Sequence, residues 1–165
     1  MPAKRGKKEM TVMAGLFVAA LLILDQITKI SAVMHLKLNQ SYPVMEGILH
    51  FTRVHNTGAA FGFLKEGTAI FIFLSIVTIL LIVFYPVRDI KNTASSCRYL
   101  RFGLLFILAG TIGNLIDRIR FGYVVDFIDL RVWPVFNVAD IALTLGGACI
   151  LYHIIIKVKS APNII

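Results

Sequence analysis

Four long apolar stretches set the first limit on what this chain of 165 residues can fold into. Residues 67–87 hold 21 positions without a charge, and residues 10–24, 102–116 and 141–156 form uncharged runs of 15, 15 and 16. A helix needs about 20 mostly apolar residues to span a bilayer. Residues 67–87 reach that length alone, whereas the other three runs reach it by including Asp25, Asp117 or Asp140.

The composition favours a membrane protein over a soluble helical bundle. The chain is 58% hydrophobic and 16% charged, with a mean hydropathy of +0.80, whereas a soluble domain is about a quarter charged. The first apolar run follows a basic leader, as in a signal peptide, but no small-residue cleavage site stands out after it, so we interpret it as a retained helix. We therefore predict a mainly α membrane protein, with one integral-membrane domain over residues 1–165 and four transmembrane helices near 11–33, 67–87, 100–117 and 138–157.

Basic residues predict the orientation of these helices. Of the 17 lysines and arginines, ten fall in residues 1–8, 88–101 and 157–159, and six fall in residues 35–66 and 117–139. An excess of basic residues marks the cytoplasmic side, so both termini are expected in the cytoplasm. The net charge of +8 also suits contact with anionic membrane lipid. It forms no stripe, and a nucleic-acid partner is not expected.

The two outer segments predict a small extracytoplasmic β-sheet. ILHFTRV (48–54) and GYVVDFIDLRV (122–132) both have the composition of extended chain, and strands beside a membrane must pair or be covered. Gly58 and Gly62 bracket two alanines in HNTGAAFGF. Small residues there permit close approach of another element or of a bound chain.

Five of the nine acidic residues map to the outer half of the membrane or its interface: Asp25, Asp117, Asp126, Asp129 and Asp140. Ionisable groups there are costly, which makes them functional candidates. Asp25 and Lys29 are four apart and can pair on one helix face. Asp117 and Arg118 are expected at a helix end, with Asn114 hydrogen-bonding between helices. A structural role is the leading interpretation for both groups.

Asp126 and Asp140 are the candidates for chemistry, because Pro134 breaks the chain between them and lets it turn back. Of two carboxylates sharing a proton, the ionised one takes a proton from water, and the neutral one polarises the peptide carbonyl and later protonates the leaving amine. For Asp140 alone, a helix N-terminal cap is the alternative. The sequence has neither an HExxH motif for a zinc protease nor a GxSxG motif for a serine hydrolase.

Five motifs resemble, in order and spacing, the bacterial lipoprotein signal peptidases (signal peptidase II, aspartyl peptidase family A8). They are LDQITK (24–29), HNTGAAFG (55–62), GNLIDR (113–118), VVDFID (124–129) and FNVAD (136–140). The resemblance covers about residues 12–156. It implies a four-helix membrane aspartyl endopeptidase that removes the signal peptide of prolipoproteins by cleaving before a cysteine that carries diacylglycerol.

The resemblance also implies the roles of particular residues. Asp126 and Asp140 would be catalytic, and Asp129 would instead form a surface charge pair with Arg131. The positions expected to shape or support the site are Asp25, Lys29, Asn56, Gly58, Asn114, Arg118, Asn137 and Ala139.

The same resemblance sets the expected partners and location. No metal or organic cofactor is expected. The expected partners are diacylglyceryl-modified prolipoproteins and membrane lipid, and the expected state is a monomer. It would lie in the bacterial inner membrane, with its active site near the periplasmic face. A small proton-coupled transporter and a non-catalytic membrane scaffold are the alternatives.

Overall fold

The computed structural model describes residues 2–58, 67–84 and 95–159, and within them it contains four helices and three strands. The helices are α1 (Pro2–His35), α2 (Gly67–Phe84), α3 (Ser95–Phe121) and α4 (Val138–Lys159). The strands are β1 (Ser41–Met45), β2 (Leu49–Asn56) and β3 (Val124–Asp129). The predicted mainly α fold with a small sheet is confirmed.

Three of the described helices are long and apolar enough to cross a membrane, over Glu9–His35, Arg98–Phe121 and Val138–Lys157. The fourth, α2, contributes a shorter apolar helix, Thr68–Phe84. Residues 85–87 of the predicted second span lie outside the described residues.

The helices extend beyond the apolar cores from which they were predicted. Helix α1 begins at Pro2 instead of near residue 11, and α3 runs from Ser95 to Phe121 instead of from 100 to 117. A helix satisfies its own backbone hydrogen bonds in water as well as in lipid. The loss of apolar character therefore marks the end of a membrane core but not the end of a helix.

The distribution of side chains is that of a protein whose surroundings are apolar. Large hydrophobic side chains on the outside of the bundle, such as Leu16, Leu81 and Phe84, are mostly exposed, whereas Asp25 and Lys29 are buried. Polar groups in a membrane protein face the bundle interior, where they find partners. The interior of this protein accordingly contains a polar network beside its apolar core.

Helices α3 and α4 pack closely through glycine. A Cβ added to Gly103 would lie 2.9 Å from the carbonyl oxygen of Gly146, and one added to Gly146 would lie 2.8 Å from that of Gly103. Small residues of this kind let two backbones approach within a membrane. The pairing fixes α4 against α3 along the length that leads to the polar network.

The three strands form an antiparallel sheet in the order β1-β2-β3. The two predicted strands correspond to β2 and β3, whereas β1 was missed because Pro43 lowers its strand propensity; an edge position tolerates that proline. Arg53 on β2 fastens the sheet to the end of α1, since its Nη1 donates to the carbonyls of Val33 at 3.3 Å and Leu36 at 3.1 Å.

After β3 the chain turns back on itself. Phe136 forms an antiparallel bridge with Ile128, in which each backbone N–H donates to the other residue's carbonyl, at 2.8 and 3.0 Å. The residue that follows this bridge is Asn137, and α4 begins immediately after it. This return therefore places the N-terminus of α4 beside β3.

Candidate active site

Asp126 is the buried acid of the site. It lies on β3 with 1% of its surface exposed. Asn56, on the neighbouring strand β2, donates through Nδ2 to its Oδ2 at 2.8 Å, and Asn137 donates through Nδ2 to its Oδ1 at 2.6 Å. Both carboxylate oxygens are thus held by uncharged amides, which orient the group without neutralising it.

Asp140 is the third residue of α4 and is part of a capping box with Asn137. The backbone N–H of Asp140 donates to Asn137 Oδ1 at 2.9 Å, and the backbone N–H of Asn137 donates to Asp140 Oδ2 at 3.1 Å. This reciprocal pair satisfies two N–H groups at the helix start. Asn114 Nδ2 donates to the remaining oxygen at 2.9 Å. Asp140 therefore does cap the helix, and it does so beside Asp126.

Asn137 connects the two acids. It is completely buried, its side chain donates to Asp126, and its backbone N–H donates to Asp140. One residue in contact with both carboxylates requires that they converge. Asp140 is partly exposed while Asp126 is not, so the pair has one accessible and one sequestered member.

The surroundings of Asp126 favour its protonated form. Burial, and then the negative charge of Asp140, raise the pKa of Asp126 to about 7; the amides of Asn56 and Asn137 and the charge of Lys29 oppose this rise. Near neutral pH, a large fraction of Asp126 is therefore protonated. Asp140 lies at a helix N-terminus, where the helix dipole stabilises a negative charge.

Lys29 anchors a buried polar cluster behind the two acids. Its Nζ donates to Asp25 Oδ2 at 2.9 Å, to Asp117 Oδ2 at 3.1 Å and to Asn114 Oδ1 at 3.0 Å. An ammonium group has three protons, and all three have an acceptor here. Because Asn114 also donates to Asp140, its amide connects the cluster to the candidate site.

Asp25 joins α1 to the beginning of α4. Its Oδ1 accepts a hydrogen bond from the backbone N–H of Ala139 at 2.9 Å. That N–H belongs to the first turn of α4, where the helix itself supplies no acceptor. The predicted pairing of Asp25 with Lys29 is confirmed. The bond to Ala139 shows that Asp25 also positions the start of α4.

Asn56 and Gly58 shape the loop beside Asp126. Asn56 Oδ1 accepts a hydrogen bond from the N–H of Gly58 at 2.8 Å, which directs the other end of the same amide at Asp126. Gly58 has a φ of +79°, and a Cβ there would overlap the ring of Phe71 on α2. The close approach foreseen at Gly58 is therefore made by another element of the protein itself. Residues 59–66 lie outside the described residues.

Arg118 lies near the acids without forming an ion pair with another described residue. Its guanidinium is stacked 4.8 Å from the centre of the Phe71 ring, and it is within electrostatic reach of Asp117, Asp126 and Asp140. Its Nε is buried and has no hydrogen-bond partner among the described residues. Arg118 thus adds positive charge beside the two acids.

Comparison with known proteins decides the family. Residues 17–156 match the family model for signal peptidase (SPase) II. The chain belongs to the signal peptidase II family.

Relatives in this family span nearly the whole chain. The lipoprotein signal peptidase of Halothermothrix orenii is 41% identical over 144 residues, covering 86% of this chain and 94% of the relative. That of Enterococcus faecalis is 42% identical over 149 residues, covering 88% and 90%. Membership in a peptidase family decides against the transporter and scaffold alternatives.

Two solved structures share the fold of this signal peptidase II. Both are bacterial membrane enzymes determined by the in meso method. The first matches with a TM-score of 0.80 and 28% identity, covering 93% of this chain and 94% of its own. The second matches with a TM-score of 0.78 and 31% identity, covering 90% and 94%.

Asp129 lies apart from the two acids, although it shares a motif with Asp126. Side chains alternate across a strand, so residues three apart on β3 face opposite sides. Thr52 Oγ1 donates to Asp129 Oδ2 at 2.7 Å, and the Arg131 guanidinium lies 3.3 Å away. The pair with Arg131 forms as expected, but the Asp129 side chain is only 9% exposed, because Thr52 covers it. The hydroxyl of Thr52 and the charge of Arg131 lower the pKa of Asp129.

Sequence reasoning missed one residue of the supporting cluster, Gln26. Its Nε2 lies 3.2 Å from Asp25 Oδ2, 3.1 Å from Asp117 Oδ1 and 3.4 Å from the carbonyl oxygen of Gly113. Its place between Asp25 and Lys29 in LDQITK was the available signal. Gln26 was overlooked because an uncharged side chain lacks the high free-energy cost of an ionisable group in a membrane, which marked the aspartates as candidates.

Proposed function

We propose that Asp126 and Asp140 are the catalytic dyad with which this signal peptidase II hydrolyses its substrate. As a member of the family, the protein is an aspartic endopeptidase that removes signal peptides from bacterial prolipoproteins. The observation that carries the assignment is the double contact of Asn137. One buried residue touches both carboxylates and so holds them on either side of it.

In the proposed reaction, Asp140 acts first as general base. It is partly accessible at the N-terminus of α4, and in this role its carboxylate takes a proton from a water molecule whose oxygen attacks the scissile carbonyl carbon. Asp126, protonated because it is buried, donates a hydrogen bond to the carbonyl oxygen as negative charge develops there. When the tetrahedral intermediate collapses, the C–N bond breaks and the proton of Asp126 passes to the leaving amine. The dyad ends with one proton, now on Asp140, and transfer back to Asp126 restores the starting state.

The finer features of the substrate follow from the resemblance of the motifs. We propose that cleavage occurs immediately before the diacylglyceryl-modified cysteine. The lipid on that cysteine and the apolar signal peptide would both hold the scissile bond at the membrane surface. The dyad suits such a substrate because Asp140 begins one membrane helix, and its partner Asn114 lies near the end of another.

Orientation and oligomeric state are proposed on separate grounds. The ten basic residues near the helix ends opposite the dyad favour cytoplasmic termini and an active site at the periplasmic face of the inner membrane. A monomer is proposed from the resemblance of the motifs alone.

The direct test is cleavage of a synthetic prolipoprotein peptide, with and without diacylglycerol on its cysteine, by the purified protein. Wild type should cleave the lipidated peptide, whereas Asp126→Asn and Asp140→Asn should each abolish turnover while the protein stays folded. The double variant should lose no more than either single one, because the two carboxylates act as a unit. Chelators should leave the wild type unaffected.

Asp129→Asn is the matched control, since it removes a neighbouring carboxylate of the same strand from the opposite face. It should keep most of the activity. Robust turnover by either dyad variant would refute the assignment of the dyad. Equal cleavage of the unlipidated peptide would refute the proposed substrate requirement and leave the dyad intact.

A further inference from the structure

A cavity of about 640 Å³ lies at the end of the bundle away from the dyad, between α1, α2 and α3. Its walls are apolar and include Met13, Phe17, Ile82 and Leu105. Arg101, one of its two charged lining residues, lies 13 positions before Asn114 on α3, which is about 20 Å along the helix axis. None of the lining residues belongs to the candidate active site, so the cavity is separate from it.

The cavity has a charged end. Arg98 and Arg101 both line it, and their spacing of three residues places them on the same face of α3. Arg98 is exposed, and Arg101 is partly buried. Neither takes part in the ion pairs that join described side chains. Guanidinium groups bind phosphate oxygens through paired N–H donors.

We propose that this cavity binds an anionic glycerophospholipid of the leaflet opposite the dyad. Its phosphate would lie at Arg98 and Arg101, and an acyl chain would follow the apolar walls toward Leu108. The two arginines of the cavity suit the anionic headgroup of such a lipid, and the apolar walls suit its acyl chain. A soluble phosphate would use the arginines but leave the apolar walls empty.

The location of the cavity supports a lipid over a soluble ligand. Its lining residues on α1 and α3 lie within the spans Glu9–His35 and Arg98–Phe121, which are long and apolar enough to cross a membrane. Its volume also falls within the range of roughly 300–1,000 Å³ that is usual for small-molecule sites.

One wall of the cavity is fixed by aromatic contacts. The Phe17 ring makes edge-to-face contacts with Phe102 and Phe106 on α3, at 6.0 and 5.1 Å between ring centres. These contacts hold α1 against α3 beside the cavity, so the proposed acyl chain would contact a preformed wall. The bound lipid would then join α2 to this pair of helices.

The test is native mass spectrometry of the purified full-length protein with phosphatidylglycerol or phosphatidylcholine of identical acyl chains. Wild type should bind one phosphatidylglycerol in clear preference to phosphatidylcholine. Arg98→Gln with Arg101→Gln should weaken phosphatidylglycerol binding by roughly tenfold or more, because each basic residue adds to the attraction of an anionic headgroup. The control is Lys157→Gln with Lys159→Gln, which removes two charges from the C-terminal end of α4. Its phosphatidylglycerol binding should match that of wild type.

Two further variants distinguish occupation of the cavity from charge attraction at its mouth. Ala14→Phe, which puts bulk into the cavity wall without changing charge, should weaken binding of phosphatidylglycerol. Arg98→Lys with Arg101→Lys should keep most of it. Peptide cleavage by each variant serves as the folding control, since none of these residues is in the active site.

Three results would overturn the proposal. The first is phosphatidylglycerol binding by the double Arg→Gln variant equal to that of the lysine control. The second is unchanged binding by a folded Ala14→Phe variant. The third is competition by glycerophosphoglycerol, which has the headgroup but no acyl chains, as effective as that by the intact lipid.

Discussion

Asp25 on α1 accepts a hydrogen bond at 2.9 Å from the backbone N–H of Ala139, which is 114 positions later in the chain. The same carboxylate pairs with Lys29 at 2.9 Å. The first membrane helix thus holds the first turn of the last one, next to the residue proposed as general base. The buried Asp25 carboxylate therefore has a structural role in positioning the start of α4, and no catalytic role is needed to explain its burial.

Removal of the Asp25 carboxylate should mainly destabilise the fold. Asp25→Ala leaves Ala139 N–H without its acceptor and weakens a buried ion cluster, and breaking one partner of a buried pair typically costs about 3–5 kcal/mol. The folded yield should fall more than the turnover per folded molecule. Asp25→Asn keeps an acceptor for Ala139 and should recover part of the yield. An Asp25→Ala protein that accumulates normally but is inactive would place Asp25 in the chemistry.

Asn137 and Asn56 should both be needed for full activity. Each amide that is removed leaves Asp126 without one donor, which costs roughly 1–3 kcal/mol. If this cost falls on the transition state, the rate drops about ten- to a hundredfold. Asn137→Ala should be the more damaging because Asn137 also caps α4. Steady-state cleavage per folded molecule measures both effects, and wild-type turnover by Asn137→Ala would contradict the bridging role.

Activity should fall as the pH rises through about 7. The proposed mechanism needs a protonated Asp126, and burial together with Asp140 raises its pKa to about 7. Hydrogen bonds from Asn56 lower that pKa, since they stabilise the charged form. Asn56→Ala should therefore move the falling limb of the pH–rate profile to higher pH. A limb that moves to lower pH would contradict the assignment of Asp126 as the acid.

The stability of the folded protein should also depend on pH through the protonation of Asp126. The Asp126 pKa is raised from 3.8 to about 7 in the folded protein, so between these values the folded state binds more protons than the unfolded state. The contribution of Asp126 to stability is then fully present below about pH 4 and is lost as the pH rises toward 7. Asp126→Asn should remove this part of the pH dependence. Thermal unfolding of both proteins between pH 4 and 8 measures it.

Gly58 should resist substitution more strongly than Gly47, although both have a positive φ, of +79° and +72°. An L residue in this conformation costs about 1–2 kcal/mol at either position. A Cβ at Gly47 meets nothing within 4 Å, whereas one at Gly58 overlaps Phe71. Gly47→Val should therefore be tolerated better than Gly58→Val, which should impair cleavage. Equal effects on cleavage would show that backbone strain alone accounts for the sensitivity.

Orientation can be tested with reporter fusions in cells. Reporters placed after residue 159 and within 88–101 should both read as cytoplasmic, and one within 35–66 should read as external. The reason is the excess of basic residues in the first two segments. A cytoplasmic signal from 35–66 would reverse the proposed orientation and the side on which the dyad lies.

The sequence by itself predicted the class of the protein, the helices and the two acids proposed as the dyad. Long apolar runs have one stable solution in lipid, a helix, so the positions of α1 to α4 follow from composition. A carboxylate in an apolar setting is conspicuous, which is why Asp126 and Asp140 stand out in sequence. Edge strand β1 and Gln26 carry no such cost, and neither was predicted.

Only the tertiary structure decided which of these side chains contact one another. That Asn137 would touch both acids depends on the bridge between Ile128 and Phe136, a long-range pairing that no local pattern specifies. The opposite placement of Asp126 and Asp129 follows from strand pleating, but the partners that hold them come from β2 and α4. A residue's identity sets which hydrogen bonds it can make, whereas packing of distant segments sets which of them it does make.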